Sequence, residues 1–165
     1  MRAGILLLFL LLVACSSPAP YRYRYVPGKT ALLTPNGSAV APPNAPPAVQ
    51  EAIAAGNRIT GSPYVYGGGH CAGGFSKGYD CSGAASFLLS AANLLDSPIP
   101  SKEFRKFGEG GLGEWISVYA RKDHVFLVVA GLRFDTGWTH GVSGPQWTTL
   151  SRPADGCVIR HPMAL

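Results

Sequence analysis

The sequence predicts an α+β domain: an antiparallel β-sheet packed against helices that precede it in the chain. Three observations carry this. In the first half, apolar positions recur at helical spacing, as at Ala84, Leu88, Ala91 and Leu95. From about residue 115 the pattern changes to short runs rich in β-branched and aromatic residues, with turn signals between them. Gly and Pro number 21 and 14 of 165 residues, which argues against an all-helical bundle. Helices first and strands after is the pattern of segregated layers rather than of alternating βαβ units. A hydrophobic fraction of 47% is enough for a packed core, and no internal repeat is visible.

Taken in order, residues 49–59 read as a short helix that Gly56 weakens near its end. Residues 63–78, PYVYGGGHCAGGFSKG, are a glycine-rich loop. Residues 81–95 form a second helix, stopped by Asp96-Ser97-Pro98. Residues 101–107 suggest a third, and 108–113 a loop. The expected strands are 115–119, 124–130, 132–136 and 157–160.

The N-terminus has its own logic. Arg2 is followed by an unbroken apolar run over residues 5–14. The run is too short to span a bilayer and fits the core of a secretory signal. It ends in Leu12-Val13-Ala14-Cys15, which resembles the bacterial lipoprotein cleavage box. The resemblance implies a signal peptide over 1–14, cleavage before Cys15, and acylation of its thiol. Acyl chains hold a protein at a membrane, each buried methylene adding about 0.8 kcal/mol. Ser16 is not the aspartate of an inner-membrane retention signal, so a two-membrane bacterium would carry the anchor on its outer membrane, facing the periplasm. Residues 15–47, rich in proline, read as a lipidated cysteine and tether, with Tyr21-Arg22-Tyr23-Arg24-Tyr25 as solvated linker. Residues 48–165 are then the domain. The formal net charge of +5 suits a polyanionic partner such as cell wall, nucleic acid or acidic lipid without choosing among them.

The chemistry centres on Asp80-Cys81-Ser82-Gly83. A helix N-terminus carries unsatisfied N–H groups and a partial positive charge, and both favour a thiolate over a thiol. Cys81 stands where that effect is largest, and its own N–H could help hold an oxyanion. The flanking glycines would leave room for a substrate backbone. A nucleophile needs a base, and the base an orienting partner. His124 opens the most apolar run, HVFLVVA, and a histidine at a strand rim can face a cleft. If Ala130-Gly131 is the whole turn of the following hairpin, Val129 pairs with Leu132 and Asp135 lies opposite Phe126, diagonal to His124. Its carboxylate would then orient the ring. A three-residue turn would put Thr136 there instead. Asp135 is the preferred assignment, because ionised acceptors bond more strongly.

PYVYGG, then DCSG opening a helix, then HV opening a strand about forty residues on, is similar to the NlpC family of bacterial cell-wall cysteine peptidases. The resemblance covers residue 49 to the C-terminus. It implies a papain-like fold with the nucleophile at a helix N-terminus. It implies hydrolysis of peptide bonds in peptidoglycan stem peptides, often between D-glutamate and a diamino acid. By position, Cys81 would be the nucleophile, His124 the base, and Tyr64 a tyrosine whose hydroxyl approaches the reacting centre. Asp80 and Ser82 match positions that bind the free amine of the stem peptide in some members. Two departures stand out. Thr136 holds the place of the third polar residue, commonly a histidine, and GEWISVYARKD replaces the usual segment before the base. This reading needs no cofactor, no metal and no nucleic-acid partner. Its rivals are an amidase or acyltransferase on the same fold, and a non-catalytic wall-binding lipoprotein.

Cys71 and Cys157 are left over, and exported proteins meet oxidising conditions, so a Cys71–Cys157 disulfide and two free thiols stand as alternatives. His70-Cys71 with Cys81 lacks the paired spacing of a zinc site. His140 and His161 read as surface or packing residues, and Trp138 and Trp147 as packing or a groove wall. The glycines at 67–69 are no phosphate loop, since no Gly-Lys-Ser/Thr follows.

Overall fold

A computed structural model describes residues 17–71, 76–139, 141–163 and 165. The expected signal peptide and Cys15 lie outside the described residues, as does His140. Among the described residues no helix is long and apolar enough to cross a membrane.

The architecture is mixed α+β, and every pairing between its strands is antiparallel. The elements are β1 (Leu32–Leu33), β2 (Ala39–Val40), α1 (Pro47–Ile59), α2 (Cys81–Ala91), α3 (Ser101–Phe104), β3 (Glu109–Gly110), β4 (Ile116–Ala120), β5 (Val125–Val129), β6 (Leu132–Asp135), β7 (Gln146–Thr148) and β8 (Val158–His161). β1 and β2 make a small hairpin. The other six strands form one sheet in the order β3-β8-β4-β5-β6-β7.

α1 begins on Pro47, a residue suited to the first helical position because its missing N–H would have had no acceptor there. Val49, Ala52, Ile53, Gly56 and Ile59 make its buried face. Gly56 does not weaken the end of the helix as expected; a methyl there would strike the Trp147 ring, so the glycine lets helix and sheet approach. α2 is buried along most of its length and stops at Ala91 rather than at residue 95. Asn93 takes a left-handed φ of 56°, which ends a helix ahead of the proline. The third helix likewise ends early, at Phe104.

β5 and β6 join through Ala130-Gly131 alone, both at positive φ, with Val129 paired to Leu132. Val125, Leu127 and Val129 point into the main core with Leu88 and Leu89 of α2. Phe126 and Val128 point to the other face, where Tyr119 and Tyr21 meet them in a second cluster.

That second cluster corrects the expected domain boundary. The segment read as a tether is docked on the sheet. Tyr21 is only 4% exposed, pairs with Arg152 as an isolated antiparallel bridge, and donates its hydroxyl to the Gly131 carbonyl at 3.0 Å. Ala31 is fully buried and donates its N–H to Ala130 O at 2.7 Å. The physical reason is the sheet's far face: β5 is apolar on both sides, and an uncovered face would expose Tyr119 and Phe126 and leave the buried Arg133 of β6 in water. A chain beginning at residue 48 is therefore expected to unfold well below the full chain, the loss of buried Tyr21 alone costing about 3 kcal/mol. Thermal unfolding of the two chains checks this, and equal midpoints would contradict it.

Candidate active site

Asp80 caps α2. Its Oδ1 accepts the Gly83 N–H at 2.7 Å and the Ser82 hydroxyl at 3.0 Å, and stands 3.1 Å from His70 Nε2. Its Oδ2 accepts the Gly67 N–H at 2.9 Å. Burial raises the Asp80 carboxyl, but the Gly83 N–H, His70 and Ser82 together outweigh it and hold the group below its ordinary range. One carboxylate thus ties the glycine loop to the first turn of the helix. Gly68, Gly69, Gly78 and Gly83 serve that packing rather than leaving room for substrate, whereas Gly67 faces open space. A methyl on Gly83 would strike the Gly68 carbonyl oxygen, and one on Gly69 the Tyr79 ring.

His70 completes this network, with Nε2 3.1 Å from Ser82 Oγ as well. Sequence reasoning weighed it as a zinc ligand; its pairing with Asp80, ten residues on, depends on how the loop folds back. Ser82 is turned inward, buried between Asp80 and His70. Oδ1 already accepts from three partners, so Oδ2 keeps the capacity for one more donor.

Cys81 is the first residue of α2, and its thiol lies close enough to the His124 ring to favour the imidazolium. His124 immediately precedes β5. Its Nε2 stands 2.9 Å from Asp135 Oδ1, so Nδ1 is the ring nitrogen left for Cys81. Burial pushes the imidazolium down, but the hydrogen bond to Asp135, then that to Cys81, then the charges of both carry it above the ordinary histidine range. Tyr64 stands at the mouth, 42% exposed, in a parallel bridge with Tyr79. Burial, then the charges of Cys81 and Asp80, raise its hydroxyl.

The two-residue turn puts Asp135, not Thr136, against the histidine. The Thr136 hydroxyl is buried without a partner, and only its N–H takes part, donating to Asp135 Oδ1 at 2.8 Å. Asp135 also receives two guanidinium groups that sequence reasoning missed. Arg133 Nη1 bonds its Oδ2, and Arg152 Nη1 reaches the same oxygen at 2.6 Å. Arg133 was findable: it lies two residues before Asp135, hence on the same strand face, inside an apolar run. Arg152 follows β7 in an irregular stretch and carried no local signal.

The Cys71–Cys157 disulfide is not formed. Both thiols are free, Cys71 exposed and Cys157 half-buried beside Tyr119. Burial raises the Cys157 thiol above its usual range. Cys71 belongs to the glycine loop tied to α2, whereas Cys157 enters β8 on the far side of the sheet. Among the described residues no cluster of three or more His, Cys, Asp or Glu could hold a metal. Compared with known proteins, the chain matches no family model, no curated protein and no solved structure.

Proposed function

We propose that the chain is a lipid-anchored cysteine endopeptidase of the bacterial cell wall, similar to the NlpC family and papain-like in arrangement. Its substrate is the stem peptide of peptidoglycan, with a bond between D-glutamate and a diamino acid as the expected target. One observation carries the reading: a cysteine at a helix N-terminus stands beside a histidine whose other ring nitrogen meets a buried carboxylate at 2.9 Å.

In this reading the Cys81 thiol gives its proton to His124 Nδ1, and the thiolate attacks the scissile carbonyl. The imidazolium, held by Asp135, protonates the leaving amine. Neutral His124 then draws a proton from water as it attacks the thioester, and thiol and free acid are released. Tyr64 lines the approach to the sulfur. Asp80 Oδ2 offers the remaining acceptor for a substrate amine.

The test is incubation of the full chain with purified muropeptides and identification of the products by mass. Intact muropeptides would overturn the reading. The pH profile adds a second check. Rate is lost on the alkaline side when the imidazolium loses its proton, so that limb of kcat/KM should lie above the ordinary histidine value of about 6.5. Linkage has the same sign. Stability from protonated His124 is complete below about pH 6.5 and is lost as pH rises through the raised folded value. An alkaline limb at or below 6.5 would contradict the assignment.

A further inference from the structure

The docked N-terminal segment does more than cover apolar surface. Tyr21 N–H donates to the Arg152 carbonyl at 2.8 Å, and Arg152 N–H donates back to the Tyr21 carbonyl at 3.0 Å. Arg152 follows β7 and precedes β8, so this bridge is what fixes its backbone. From there its side chain reaches inward. Nη1 bonds Asp135 Oδ2 at 2.6 Å and the Gly137 carbonyl at 2.9 Å. The guanidinium lies between two aromatic rings, 5.1 Å from the Phe126 centroid and 5.4 Å from that of Trp138. The Tyr21 ring meets the other arginine, with Arg133 5.9 Å from its centroid. Arg133 Nη2 donates to the carbonyl of Trp138, an exposed residue at a left-handed φ of 58°.

We propose that Arg152 is a positioning residue for the Asp135–His124 pair, and that Tyr21 holds Arg152 in place. The inference rests on the peptidase reading for its kinetic part only. Its physical content is a chain of contacts from Tyr21 to Arg152, to Asp135, to His124. Asp135 meets His124 through Oδ1, and Arg152 and Arg133 grip Oδ2, so the carboxylate plane cannot swing away from the ring. Arg152 also sets charge. The groups facing His124 are Cys81 from α2 and Asp135 from β6, with Arg133 and Arg152 behind that carboxylate. Asp80, at the cap of α2, is engaged by Gly67, Gly83, Ser82 and His70. A cation removed from behind Asp135 leaves more of its negative charge acting on the ring and favours the imidazolium.

The test uses the full chain with Arg152→Met, Arg152→Lys, Tyr21→Phe and Tyr21→Ala. The His124 ring is titrated by NMR, and kcat and KM are measured on muropeptides. Arg152→Met should move the His124 titration to higher pH and lower kcat about ten- to a hundredfold, with KM unchanged. Arg152→Lys keeps the charge and should hold the titration at its wild-type position. Tyr21→Phe keeps ring and backbone pairing and should hold the titration near its wild-type position, whereas Tyr21→Ala removes the ring that docks the segment over Arg152 and should shift the titration in the direction of Arg152→Met. If Arg152→Met does not fold, Arg152→Gln carries the same titration test, since it keeps donors for Asp135 without the charge. A folded, uncharged Arg152 variant with a wild-type His124 titration overturns the inference. Absence of cleavage by the wild-type chain overturns the peptidase reading, while the titration still decides the role of Arg152.

Discussion

Cys81→Ala should reduce muropeptide cleavage by at least about a thousandfold while leaving the fold in place. In the proposed mechanism the Cys81 sulfur forms the acyl bond, and alanine supplies no substitute. The structural cost is small. Cys81 sits in the first turn of α2, and its backbone keeps its place through the Asp80 cap, which bonds Gly67, Gly83, Ser82 and His70 rather than the thiol. Loss of one buried sulfur should change stability by about 1 kcal/mol. Product analysis by mass and thermal unfolding together check the prediction. Cleavage retained by a folded Cys81→Ala chain would remove the nucleophile assignment.

Asp135→Ala should be the most damaging single change for stability. The carboxylate is fully buried and accepts from Arg133, Arg152, His124 and two backbone N–H groups. Arg133 is itself completely buried, and burial already pushes its guanidinium below the ordinary arginine value. Deleting the acid leaves two guanidinium groups facing each other without a counter-charge, a loss of about 3–5 kcal/mol. For a chain of this size that is about 10 °C in Tm. Asp135→Asn also removes the counter-charge of Arg133 and Arg152, so its kinetics are read on the fraction that remains folded. The amide fills the same space but brings no charge to His124, so the alkaline limb of kcat/KM should fall to lower pH and kcat should drop by about a thousandfold or more. Denaturant unfolding and a pH profile check both variants. A stable, active Asp135→Asn chain with an unmoved limb would show that this carboxylate does not act on the ring.

The parts of the site that could be read from sequence were those encoded over short spans. Asp135 follows from counting residues across the Ala130-Gly131 turn, because side-chain direction in a strand alternates strictly and the hairpin leaves no slack. The start of α2 at Cys81 follows from an aspartate cap before an apolar helical pattern. The docking of residues 17–46, within the segment 15–47 read as a tether, is not legible from proline content; it follows from asking what covers the second face of HVFLVVA. An unbroken apolar strand needs cover on both sides, and that signal was present. β7 and the short strands β1 to β3 are too brief to show periodicity.

The amino-acid sequence alone determined the α+β layering, the helix that presents Cys81 and the register that sets Asp135 against His124. Each depends on periodicity, capping or turn length over a dozen residues or fewer. Only the tertiary structure decided that Arg133 and Arg152 share Asp135, that His70 closes on Asp80, that Cys71 and Cys157 stay apart, and that Tyr21 belongs to the site. These contacts join residues as far apart as 21 and 152. Such pairs are set by which apolar faces must be covered and which buried charges must be matched, and no local pattern records the partner.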